Sequence, residues 1–91
     1  MKSQKTYNLQ ITKSPDSKIF SQVADFIIEK LNGKITEQVD GIEQKYWDFK
    51  IDKILITLHS EHYLGISVYG QESEQVEYLL ERINSELNLI K

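Results

Sequence analysis

A chain of 91 residues with a formal net charge of −3 suffices for one small domain, residues 1–91, and lacks the basic surplus that nucleic-acid binders use. Its 40% hydrophobic and 27% charged residues are ordinary for a globular fold, and the absence of cysteine excludes disulfides, thiolate metal ligands and a thiol nucleophile. No apolar run reaches membrane-spanning length and the opening MKSQKTYNLQ has no apolar leader core, so the expectation is a cytoplasmic protein with no membrane partner.

Thr6 to Thr12 alternates Tyr7, Leu9 and Ile11 against polar residues, the period of two of a half-buried strand. Ser14-Pro15-Asp16 reads as a helix start, with Ser14 as cap and Pro15 at the first helical position. Ile19, Phe20, Val23, Ala24, Ile27 and Leu31 then recur at helical spacing, widened by Phe26 and Ile28, until Asn32-Gly33 closes the helix. Lys34 to Asp40 reads as a short or edge strand, weakened by Glu37 on the same phase as Ile35 and Val39, and ends at the Asp40-Gly41 turn. Trp47, Phe49 and Ile51 share one face of the next strand. Asp52-Lys53 makes a two-residue turn, Ile54, Ile56 and Leu58 line a further strand, Ser60-Glu61-His62 turns the chain, and Leu64, Ile66 and Val68 line the last. A second helix is expected from Gln71 to Leu89, with Glu72 and Glu74 in its first turn and a stripe of Val76, Leu79, Leu80, Ile83, Leu87 and Ile90.

The order β-α-β-β-β-β-α predicts an α+β fold, a two-layer sandwich with a mainly antiparallel sheet and two helices packed on one face. The first strand, followed by a crossover helix, is free to pair parallel to a later strand. Trp47, Phe49, Ile56, Ile66, Phe20, Ile27, Leu79 and Ile83 should dominate stability, because burying a large apolar side chain contributes roughly 1.5–3 kcal/mol.

If those residues face the helices, alternation sends Tyr46, Asp48, Lys50, Leu55, Thr57, His59, Tyr63, Ser67 and Tyr69 to the other side of the sheet. Tyrosine and threonine are good strand formers, which is one account of this face. The other is a partner-binding surface, since rings with polar tips are enriched where proteins meet. A homodimer would satisfy the same pattern. Asp40 and Glu43, acids on the connection preceding the aromatic strand, would extend it. Within His59-Ser60-Glu61-His62, two imidazoles and a carboxylate are candidate metal ligands, with Glu61 also a possible general base. The spacing lacks the HExxH pattern that a helix needs to seat zinc, so no metal and no cofactor is expected. No nucleophile elbow surrounds Ser60 or Ser67, and the four glycines form no phosphate loop. Gly65, inside a strand, marks a close approach, for which a ring of Tyr63, Tyr69 or His59 folding over it is the expected cause.

Across YWDF and ITLHSEHYLGISVY the chain resembles a group of small bacterial proteins of unknown function, which carry an aromatic strand followed by an L-H-x-E-H-[YF]-L-G-I segment. The matching residues are Tyr46, Trp47, Asp48, Phe49, Leu58, His59, Glu61, His62, Tyr63, Leu64, Gly65 and Ile66. The resemblance implies no catalytic residue. It is compatible with small acidic immunity proteins that neutralise a toxin. The expectation is therefore a non-enzymatic protein-binding module, of which the concrete version occludes a toxin through the open sheet face and acidic loop. A metal-binding module or metal-dependent enzyme built on His59, Glu61 and His62, and a homodimeric structural protein, are the alternatives.

Overall fold

The computed structural model describes residues 6–90, with side chains to residue 88. Seven elements follow the expected order: β1 (Thr6–Thr12), α1 (Ser17–Lys30), β2 (Lys34–Asp40), β3 (Gln44–Ile51), β4 (Ile54–Glu61), β5 (Gly65–Gln71) and α2 (Glu74–Ile90). They form one five-stranded sheet in the order β1-β5-β4-β3-β2, and every neighbouring pair is antiparallel. The fold is α+β.

The parallel option for β1 is corrected by its pairing with β5, in which Tyr7 lies opposite Gly70 and Leu9 opposite Val68. β2 to β5 form a meander joined by short links, and α1 carries the chain from the β1 edge to the β2 edge. That crossover leads to the far side of the sheet rather than to a parallel neighbour.

Local chemistry sets the ends of the helices. Asp16, not Ser14, caps α1: its Oδ1 accepts from the backbone N–H of Lys18 at 2.9 Å and of Ile19 at 3.3 Å. Pro15 therefore precedes the helix instead of opening it. Leu31 ends it, followed by Asn32 with φ 59, the left-handed residue that commonly closes a helix. α2 starts later than its acids suggest, because Gln71 still belongs to β5 and Ser73 Oγ accepts from the Val76 N–H at 3.1 Å.

One face of the sheet and the facing stripes of both helices make the core. Phe20, Ile27, Phe49, Ile56, Leu58, Ile66, Val68 and Ile83 are essentially inaccessible, and no polar or charged residue is buried among the described residues. Trp47 departs from expectation. It is half-buried at the margin of the core, where its ring meets Phe20 edge-on at 5.2 Å and its indole N–H reaches Asp40. Phe26 is also half-buried, and Ile28 is exposed.

Two bulges adjust which face each edge strand presents. In β1 the register shifts at Ile11, which remains buried. In β2 it shifts at Thr36, so Ile35 lies opposite Phe49 while Glu37 lies opposite Asp48. One inserted residue moves everything after it to the other face. Ile35 therefore points to the helix side, and Glu37 and Val39 to the open side, which explains the acid on the apolar phase.

The β4–β5 turn is His62–Leu64, later than the sequence suggests, and Leu64 is exposed instead of lining β5. Gly65 follows it with φ +87, opposite Glu61. No ring covers it. A Cβ there would collide with the Thr12 carbonyl oxygen and lie 2.7 Å from Lys13 Cα, so the close neighbour is the backbone at the end of β1.

Candidate functional site

The helices cover one face of the sheet and leave the other open. Ladder partners share a face, so the pairings place the open-face residues in rows across the strands. One row runs Lys34, Lys50, Leu55; the next runs Glu37, Asp48, Thr57, Tyr69, Asn8; the third runs Val39, Tyr46, His59, Ser67, Gln10. Six of the nine proposed partner-binding residues, Tyr46, Asp48, Leu55, Thr57, His59 and Tyr69, are thus brought together. Leu55 is the most uncovered apolar group of the three rows, at 59% exposure, with Val39 and Tyr46 at 39% and 38%.

The middle of this face is ordered by its own contacts. His59 sits between two tyrosines, its ring 5.4 Å from Tyr46 and 6.2 Å, edge-on, from Tyr69. The three rings make a ridge across β3, β4 and β5. His59 Nε2 is buried in it without a hydrogen-bond partner. Thr57 Oγ1 donates to Asp48 Oδ1 at 2.6 Å, and Thr36 Oγ1, on the bulge, donates to the Asp48 carbonyl at 3.3 Å. Burial first, then the Asp48 carboxylate and Tyr46, raise the Tyr69 phenol above its ordinary pKa. At the β1 side Gln10 Nε2 donates to the carbonyls of Thr12, Leu64 and Ile66 at 2.7, 3.1 and 3.1 Å, tying the bulged end of β1 to the start of β5.

Three of the nine lie elsewhere. Tyr63 is on the β4–β5 turn, 78% exposed, with the His62 ring edge-on at 4.8 Å; its expected place on the sheet face is corrected by the later turn. Asp40 is on the helix side of the sheet. Its Oδ1 accepts from Trp47 Nε1 at 2.8 Å and its Oδ2 from Gln38 Nε2 at 3.0 Å. Those bonds, the Trp47 bond foremost, hold the carboxyl below its ordinary pKa. Glu43 lies in the β2–β3 connection, where its carbonyl accepts the His62 N–H at 2.9 Å.

His59 and Glu61 belong to β4 and face the open side, whereas His62 is on the turn. Among the described residues no three His, Asp or Glu side chains gather where they could hold a metal ion. Sequence alternation missed Lys34, Glu37 and Val39 on this face. The one available signal was Glu37 on an apparently apolar phase, the mark of a bulge.

Residues 2–84 match a family model described as a protein of unknown function, DUF3630. The chain belongs to this family. The DUF3630 match extends well beyond the aromatic middle segment, through both edge strands, β1 and β2, and most of α2. No curated protein and no solved structure matches the chain. No helix among the described residues is long and apolar enough to cross a membrane.

Proposed function

We propose that this domain is a non-enzymatic protein-binding module whose contact surface is the open face of the sheet. The observation that carries this reading is the ridge of exposed Tyr46 and half-buried His59 and Tyr69, flanked by exposed Val39 and Leu55, on the face of the sheet that carries no helix. Rings of this kind give a large contact area while losing few rotatable bonds on binding, and they concentrate at the centres of interfaces. Thr57 and Asp48 add a fixed polar pair beside them.

The narrower version, occlusion of a basic toxin cleft, draws on the net charge of −3 and on Glu37 and Asp48, which set an acidic row beside the ridge. Complementary charge of that kind speeds encounter. Asp40 and Glu43 lie off the face.

Site-specific photo-crosslinking in cells tests the reading. A photoreactive residue at Leu55 is expected to give a discrete crosslinked product, and the same residue at Glu81 on α2 is not. Crosslinks from Glu81 with none from Leu55 would overturn it.

A further inference from the structure

The open face carries two cross-strand pairs of like charge side by side. Lys34 lies opposite Lys50, and one row further along the same ladder Glu37 lies opposite Asp48. Like charges directly opposite each other in a sheet repel, so each pair costs the isolated monomer stability. The rows are about 7 Å apart along the strands, two residues of rise. The basic row continues onto β4 at Leu55 and the acidic row at Thr57.

A basic row next to an acidic row is complementary to its own copy turned by half a revolution. The required axis lies in the plane of the face and runs across the strands, between the two rows. Rotation about it lays Lys34 and Lys50 over Glu37 and Asp48 of the other copy, and the reverse, with Leu55 over Thr57. Each copy supplies the same four charges, as an isologous two-fold interface demands. Facing sheets pack about 10 Å apart, within reach of opposed lysine and carboxylate side chains. Thr57 occupies Asp48 Oδ1 and leaves Oδ2 for a cation.

We propose that the occupant of the open face is a second copy of this chain, packed sheet to sheet in this charge-paired register. The proposal rests on the open face being the contact surface and names its partner. In this register Leu55 and Thr57 lie at the centre, and Tyr46 and His59 lie at the margin towards the β3–β4 turn of the other copy. The face is limited: five strands at about 4.8 Å spacing and about 3.3 Å per residue along them leave about 500 Å² per copy in this register, near the low end for specific association. The dimer is therefore concentration-dependent, and each monomer keeps a complete core of its own.

Sedimentation velocity over a range of concentrations tests it with two charge-reversed variants. The wild type shifts from monomer towards dimer as concentration rises. The variant K34E/K50E, whose face is all acidic, and E37K/D48K, whose face is all basic, each associate at least tenfold more weakly. An equimolar mixture of the two recovers a heterodimer of wild-type strength or better. Lys34 and Lys50 are exposed, so the first variant keeps its fold. If loss of the Thr57–Asp48 bond unfolds the second, E37K alone, at an exposed position, is mixed with K34E alone, which restores all four opposed pairs. A wild type that stays monomeric at every concentration, or a mixture of folded variants that does not associate, overturns the dimer. Crosslinks from Leu55 to a different protein, with a monomeric wild type, overturn the dimer alone and leave the open face as contact surface. No crosslink from Leu55 to any chain overturns both.

Discussion

Gly65 is the position where a single methyl group has the least room. Its φ of +87 is unfavourable for any L side chain, and a Cβ would run into the backbone of Thr12 and Lys13. Gly65→Ala should lower stability by about 2–3 kcal/mol or more, from backbone strain plus the forced displacement of β1, and denaturant unfolding measures it. Asp40 gives a second test at this scale. Its carboxyl is held below the ordinary range chiefly by the Trp47 indole N–H. A depressed carboxyl pKa contributes stability that is present above the unfolded-state value, about pH 4, and lost as pH falls through the folded-state value. Trp47→Phe should therefore raise the Asp40 pKa, as read by NMR titration of its carboxyl carbon, and remove part of the acid-dependent loss of stability. The interaction is surface-exposed, so the effect on stability is small.

Among the elements, β2 shows best where sequence patterning succeeds and where it stops. Its bounds and its edge position follow from alternation and flanking turns, but the inserted Thr36 is invisible to a period of two and hides that Glu37 and Val39 face away from Ile35. Deleting Thr36 would leave Ile35 opposite Phe49 and Glu37 opposite Asp48 in a regular ladder. The deletion variant should fold, with a melting temperature close to wild type, but its flattened edge should aggregate faster on standing, because bulges protect exposed edges. Light scattering against time is the measurement. The β4–β5 turn falls later than residue types suggest for a related reason. Ser60 and Glu61 suit a turn by type, yet pairing of Lys45 with Ser60 and Gln44 with Glu61 holds them in the ladder, which carries Tyr63 off the sheet face. The core-facing residues of β3, β4, β5 and α2 are legible because large apolar residues recurring at a fixed period mark a face turned away from water. The partner of β1 is not, since nothing local encodes a pairing with the far end of the chain.

At the scale of the molecule the two sides of the sheet should respond very differently to truncation. Phe49→Ala empties a wholly inaccessible site between sheet and helices and should cost about 3–5 kcal/mol, a large share of the roughly 5–15 kcal/mol typical of a whole domain. Leu55→Ser on the open face should change stability by less than about 0.5 kcal/mol. Urea unfolding of the two variants separates them, and equal losses would mean that the open face is structural. The same two-sidedness makes much of the candidate site legible in the sequence: Tyr46, Asp48, Thr57, His59 and Tyr69 follow from the alternation that names the core. Asp40 does not, because its bond to Trp47 places it with the helix-side residues.

The pairing of β1 with β5 has a consequence for synthesis. β1 leaves the ribosome before the other four strands, and its only neighbour in the sheet appears about 60 residues later, a wait of several seconds at ordinary elongation rates. Meanwhile β2, β3 and β4 can close their hairpins in order of appearance. The nascent chain thus carries a solitary strand whose alternating Thr6, Asn8 and Gln10 keep one side of it wettable until its place in the sheet exists.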